Sequence, residues 1–586
     1  MTIKLPILVA FSLALVACTI PPSANNTLLL SANNTTMQAP ANEATMDQTI
    51  AVTEQKTAIF KTRPSETTTP NVDSETSNTA GKVGVIMDSS VTSNNDKVSS
   101  AASVSGIKPT PQILGFEDKT DTERLAGARG DSLLIVEKKG GTVKKGQFYF
   151  PEYKKAVLAN GMTVYLLEKH DIPVITVKAI VKAGSVNDPI SGLASMTAEG
   201  LLLGSKKYNK VQLEQVTDNI GAGFEAGSNK ESSYINADFL AKDADVMFDV
   251  IKSVLTEPTF NAKEFAKFQK QNVELLAQQK ESPNKVIRGY YSKFVFDKHA
   301  YANPVEGDQQ SIATITPKQL ATFHNSYYQP VNTAITVVGD FNSNLMKLEL
   351  EALFADWNNT QPVPQLDLNY AVPVMDKSRV LVVNKANATE TTFIFGGVGI
   401  AKDNPDYIGI QLVNTILGGR FTSWLNDELR VNSGLTYGAG SGFSAWSQSG
   451  LFSISSFTQT STTEQAVDLA IETYERLWEK GVDQETLDSA KAYLKGQFPP
   501  RYETSEQLAD ILGDMYVYGI NESYINNFES QVDSLTLDET QSLVNQYFPN
   551  KNLQFVMIGQ AAELQPFVSK YGSVEMLNIE QVGFGG

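Results

Sequence analysis

The second half of this chain repeats its first, and no other feature restricts its fold as much. Ile315-Thr316, Tyr327, Asn332 and Gly339 recur as Leu535-Thr536, Tyr547, Asn552 and Gly559, all displaced by the same 220 residues. Each copy reads as a helix, an aromatic residue, a proline, an asparagine, an apolar strand and a glycine. Self-similarity at a fixed offset means that one structural unit occurs twice. Two homologous lobes are therefore expected, at 148–365 and 366–586.

Local patterns describe the unit. Two β-rich runs flank Asn160-Gly161, a strong hairpin signal. Residues 174–183 add another strand. A helix capped by Ser191 is expected over 191–203, ending at Gly204, and a longer amphipathic helix over 262–279. The stretch 111–147 gives no single reading, with 132–138 a candidate strand.

The beginning of the chain has a different character. Met1-Thr2-Ile3-Lys4 precedes an apolar run over 5–17 that is too short to span a bilayer but has the length of an export signal. Leu15-Val16-Ala17-Cys18 resembles a bacterial lipobox, in which the cysteine becomes the acylated first residue of the mature protein. Cys18 is the only cysteine in the chain. A signal peptide over 1–17, lipidation at Cys18 and a cell-envelope location follow as expectations. Thr19 after the cysteine points, by resemblance to sorting rules, to the outer membrane facing the periplasm.

Residues 18–110 are rich in Ser, Thr, Asn and Ala. They hold one aromatic, Phe60, although the chain has 28 Phe, 21 Tyr and 4 Trp. Such a segment cannot form a core and is expected to be a disordered tether, with a span on the order of 50 Å. The formal net charge is −17. Residues 19–110 contribute eight acidic and six basic side chains, so nearly all of that charge falls on the body. This disfavours nucleic acid and anionic surfaces as partners.

The chemistry-bearing segment lies in the second lobe. Leu417-Gly418-Gly419-Arg420-Phe421 leads through Leu429-Arg430 to Gly434-Leu435-Thr436-Tyr437-Gly438. This run resembles the C-terminal lobe signature of the insulinase/pitrilysin metallopeptidases, in particular the mitochondrial-processing-peptidase type and its bacterial two-subunit relatives. The resemblance implies an α+β fold, each lobe a mixed sheet with helices packed on one face, the lobes forming a clamshell. It also implies that Arg430 and Tyr437 reach across to a substrate bound at a zinc on another lobe, and that Gly418 and Gly419 line the substrate chamber.

In that family the zinc motif is HxxEH on the first long helix of the first lobe, where two His bind the metal and the Glu activates water. The matching stretch here carries Ser195 and Glu199 at the two His positions and Ala198 at the Glu. The family's third ligand should fall near Leu275 or Leu276, and Glu274 is off register. Catalytic zinc sites usually take three protein ligands. The three His, at 170, 299 and 324, are not spaced as a pair. No metal site or cofactor is expected in this chain, and zinc is expected in a partner.

Arg430 and Tyr437 also have a purely structural reading. Arg430 would end a helix, where a cation is favoured and a salt bridge is common, and Tyr437 would open a strand while filling the core. Three functions compete. The first is a non-zinc-binding subunit that completes the active site of a two-chain peptidase, with Arg430 and Tyr437 acting in trans on extended peptides held by an HxxEH-bearing homologous subunit. The second is a non-enzymatic peptide-binding or scaffold protein of the envelope. The third, a self-sufficient metallopeptidase, conflicts with the ligand count.

Overall fold

The computed structural model describes residues 136–137, 148–365 and 371–584. The signal peptide, Cys18, the tether, most of 111–147 and residues 366–370, at the expected start of the second lobe, lie outside the described residues. No helix of the described residues is long and apolar enough to cross a membrane.

The first lobe is built on strands β1 (Val136–Glu137), β2 (Lys154–Val157), β3 (Thr163–Glu168), β4 (Val174–Val181), β5 (Gly223–Ser228), β6 (Ser233–Leu240) and β7 (Thr333–Gly339). They form one sheet in the order β1-β2-β3-β7-β4-β6-β5. The second lobe contributes β8 (Arg379–Asn384), β9 (Glu390–Val398), β10 (Ala439–Ala445), β11 (Gly450–Gln459), β12 (Gln554–Gly559) and β13 (Ser573–Asn578), in the order β10-β11-β9-β12-β8-β13. The run β3-β7-β4-β6-β5 has the same order and strand directions as β8-β12-β9-β11-β10. The first pair is parallel and the others antiparallel in both lobes.

The repeated residues have the same physical task in each copy. Thr316 and Thr536 cap the helices Pro317–Tyr327 and Leu537–Tyr547, each in a reciprocal capping box, with Gln319 in one and Glu539 in the other. Gly339 and Gly559 end the central strands where a side chain has no room. A Cβ would lie 2.1 Å from the Val174 carbonyl oxygen at one and 2.6 Å from Thr391 Oγ1 at the other. The Asn160-Gly161 hairpin joins β2 to β3 with Gly161 at φ +94°. Asn160 Nδ2 donates to the carbonyls of Phe354 and Trp357.

Each sheet carries its own lobe's helices on one face. In the first lobe these include Leu193–Gly200, Ala244–Thr256 and Pro317–Tyr327, packed into an apolar core with Val177, Ile235 and Val337. The opposite face is covered by a helix of the other lobe. The first crossing helix, Pro283–Phe296, lies on β9 and β12, burying Val286, Tyr290 and Val295 among Ile394, Val556 and Ile558. The second, Ser505–Tyr518, lies on β4 and β7, and its Leu508 and Leu512 join Tyr165, Ala334 and Val338.

A buried carboxylate adds a polar clasp between the lobes. Glu231, in the β5–β6 turn, accepts from Tyr301 Oη at 2.8 Å, from Ser447 N at 3.0 Å and from Ser447 Oγ at 3.1 Å. Ser447 belongs to the β10–β11 turn of the second lobe.

Two local expectations are corrected. Ser191 caps nothing: the helix runs Leu193–Gly200, followed by a single tight turn over Leu201–Leu203. Gly192 is its N-cap residue at φ 88°. Asp188 takes the role expected of Ser191, accepting from Gly192 N at 2.9 Å and Ala194 N at 2.7 Å. Of the candidate strand 132–138, only Val136–Glu137 forms one, pairing with β2.

Candidate active-site segment

Arg430 and Tyr437 sit on a segment whose backbone is fixed and whose side chains are free. The Tyr407–Leu417 helix ends at Gly418, where a Cβ would lie 2.3 Å from the Ser441 backbone nitrogen. Glycine is therefore required for the helix end to reach β10, and the Gly418 carbonyl accepts from Ser441 N at 3.2 Å. At Gly419 a Cβ would meet Thr415 Cα at 2.9 Å. Both positions thus have a packing explanation in the close approach of helix and strand.

The chain then forms the short helix Trp424–Asn426 and continues into a π-helical turn, Asp427–Asn432. Arg430 lies within this turn and does not end an ordinary helix. Ser433 N donates to the Glu428 carbonyl at 3.1 Å across five residues. Such wide turns are rare and are frequent at functional sites. Leu425 and Leu429 anchor the turn in the core of the second lobe, and Arg476 Nη1 donates to Glu428 Oε1 at 2.9 Å.

That pairing leaves Arg430 without a carboxylate partner among the described residues. Its guanidinium instead stacks 4.7 Å above the Phe421 ring. Tyr437 lies two residues ahead of β10, not within it, and 81% of its surface is exposed. Its neighbours are tied down: Leu435 N donates to the Leu429 carbonyl at 2.9 Å. Thr458 Oγ1 donates to the Leu435 carbonyl at 2.7 Å, and Ser456 Oγ to the Gly438 carbonyl at 2.9 Å. A salt-bridged arginine and a core tyrosine are both excluded. Two hydrogen-bond donors instead project from a pinned backbone, which can aim them at developing negative charge.

Phe421, Thr458 and Ser456 are the supporting residues that sequence reasoning missed. Phe421 lies in the quoted glycine-rich run, but nothing in its type distinguishes it from a core residue.

The first lobe's matching helix is differently made. Ser195 Oγ donates to Glu199 Oε1 at 2.9 Å, and burial raises the Glu199 carboxyl above its ordinary range. Ala198 offers no acceptor. Leu276 is buried in the lobe core, while Glu274 faces solvent beside Lys270. The histidines are occupied elsewhere. His170 faces Asp340 and Glu168, His299 Nδ1 accepts from Tyr301 N, and His324 Nε2 donates to the Leu255 carbonyl at 2.8 Å. Among the described residues no three His, Cys, Asp or Glu side chains converge to hold a metal ion. The residues at this position do not fit zinc. No hydrogen bond, ion pair or ring contact among the described residues joins them to Arg430 or Tyr437.

The description "Insulinase (Peptidase family M16)" matches residues 163–309, and "Peptidase M16 inactive domain" matches residues 314–494. The chain belongs to the insulinase family. This insulinase-family chain is 24% identical over 439 residues to "Zinc protease PqqE" of Helicobacter pylori, a match covering 73% of this chain and 96% of that relative. It is 23% identical over 403 residues to "Non-peptidase homolog YmxG" of the same organism, covering 67% and 90% respectively. Among solved structures, a peptidase M16 inactive domain from Pseudomonas fluorescens superposes with a TM-score of 0.64 at 26% identity, covering 70% of this chain and 98% of that one.

Proposed function

We propose that this insulinase-family chain is the subunit that completes, without binding zinc itself, the active site of a two-chain metallopeptidase cleaving extended peptides in the bacterial cell envelope. The observation that carries the reading is the exposure of Tyr437 and the unpaired guanidinium of Arg430 on a pinned segment, in a chain whose own Ser195, Ala198 and Glu199 do not fit a metal. A homologous subunit with an intact HxxEH motif would supply the zinc and the general base. Arg430 donates to a carbonyl or carboxylate of the peptide, and the Tyr437 hydroxyl donates to the oxyanion of the tetrahedral intermediate. Lipidation of Cys18 would hold the pair at the outer membrane, facing the periplasm.

The test is steady-state cleavage of a peptide by the reconstituted pair. Tyr437→Phe is expected to lower kcat roughly 10²–10³-fold, the effect of removing one oxyanion donor, with assembly unchanged by gel filtration. Unchanged kcat in an intact complex would refute it. A scaffold role is the second reading. It is favoured by the packing explanation for Gly418 and Gly419 and by the non-peptidase name of one relative.

A further inference from the structure

Between the lobes lies a cavity of about 290 Å³, walled by the first crossing helix, by β9, β10 and β11 of the second lobe, and by Phe584. Its charges are unbalanced. Lys285 and Arg288 line it from one helix, three residues apart and hence on one face. Neither side chain forms an ion pair or hydrogen bond among the described residues. Lys230 also lines the cavity, but its ammonium is taken up by the carbonyls of Tyr301 and Asn303. The one carboxylate in the lining, Glu306, accepts from Gln279 Nε2 at 3.0 Å.

The rest of the wall is of the opposite kind. Ile394 and Leu451 are buried residues that line this space, and Phe584 lies over Gly289, where a Cβ would be 2.5 Å from its ring. The Ser453 hydroxyl, in the same wall, makes no hydrogen bond among the described residues. A site with two free cations on one helix face, apolar side chains and a spare hydroxyl fits a single carboxylate on a small apolar body. Its volume admits about one or two residues of a peptide and is at the small end for ligand sites.

We propose that this interlobe cavity binds the C-terminal residue of a short peptide, its carboxylate held by Lys285 and Arg288 and its apolar side chain packed against Ile394, Leu451 and Phe584. The identification of the ligand as a peptide rests on the proposed peptidase role, because a free fatty acid has the same chemistry. The site would let the subunit retain one end of a substrate or a product.

The test needs no partner chain. The full chain is titrated with N-acetyl-Leu-Phe as the free acid, with the same dipeptide as its amide, and with octanoate. Binding is followed by the fluorescence of Trp446, which lines the cavity, with Trp446→Phe as the control for the signal. The free acid is expected to saturate, and the amide to bind at least about tenfold more weakly. Lys285→Ala and Arg288→Ala are each expected to weaken the acid roughly tenfold, the loss of one charge-assisted hydrogen bond. Both residues are exposed and neither belongs to a core cluster, so the fold is retained. Equal affinity for acid and amide, tighter binding of octanoate than of the peptide acid, or no saturation by any of the three would each overturn the proposal. A Tyr437→Phe subunit that still supports cleavage would refute the catalytic role and leave acid-selective binding standing.

Discussion

Gly513, inside the second crossing helix, sets how that helix seats on the first lobe's sheet. A Cβ there would lie 2.2 Å from Ile180 Cδ1 and 3.5 Å from its Cγ1, so only the terminal methyl of Ile180 stands in the way. In Gly513→Ala, that methyl must retreat by on the order of 1.5 Å to reach ordinary contact. Ile180 is buried, and overpacking of this kind costs about 1–3 kcal/mol. Alanine recovers about 1 kcal/mol of helix propensity, which leaves a net loss of about 1 kcal/mol. Ile180→Val removes the same methyl and by itself costs about 1 kcal/mol. In the double variant the new Cβ occupies the space that Cδ1 vacates, so both penalties should cancel. The double variant then retains the helix-propensity gain of about 1 kcal/mol, so the expected coupling is about 3 kcal/mol in favour of the pair. Urea unfolding of the four proteins, followed by both far-UV circular dichroism and tryptophan fluorescence, completes the cycle. Additivity within about 0.5 kcal/mol would refute the described seating of the helix on β4.

Acid lability should centre on His324. Burial lowers its value to about 4 from an ordinary 6.5, so the unfolded chain takes up the proton first, and stability is complete above pH 6.5 and lost as pH falls towards 4. The loss is about 3 kcal/mol. His324→Gln should flatten the stability profile over that window, and an unaltered slope would rule His324 out. At the clasp, Glu231→Ala strands the Tyr301 hydroxyl and the Ser447 N–H, at an expected cost of about 2–4 kcal/mol. Glu231→Gln should lose less. The unfolding midpoint and the rate of proteolysis at the Ser447–Gln448 turn measure both variants, and parent-like behaviour of the alanine variant would mean that the clasp contributes nothing.

Sequence patterns were most legible where a residue acts on its own neighbours. Thr316 and Thr536 signal the same capped helix because capping depends on residues three positions away. The helix Ala262–Gln279 was readable to the residue from its apolar period. Ser191 misled because the competing cap, Asp188, reaches its N–H groups from outside the helix. The crossing helices were illegible for a different reason. An apolar stripe says that a helix face is buried, but not which of two similar sheets buries it. Tyr437 is ambiguous by its chemistry, since a tyrosine suits a core as well as a surface. Only the bonds around Leu435 and Gly438 decide that its ring faces solvent.

The exchange of the two crossing helices also governs what could exist without the rest. A lobe severed from its neighbour would expose the face of its sheet that now receives Leu508 and Leu512, or Val286 and Val295. Neither half could then be soluble alone, yet each already carries the layer that the other lacks. Cut within 366–370, the two pieces should find each other as complementing fragments do. In that sense the molecule is a swapped dimer of half-length units whose two copies have been joined into one polypeptide.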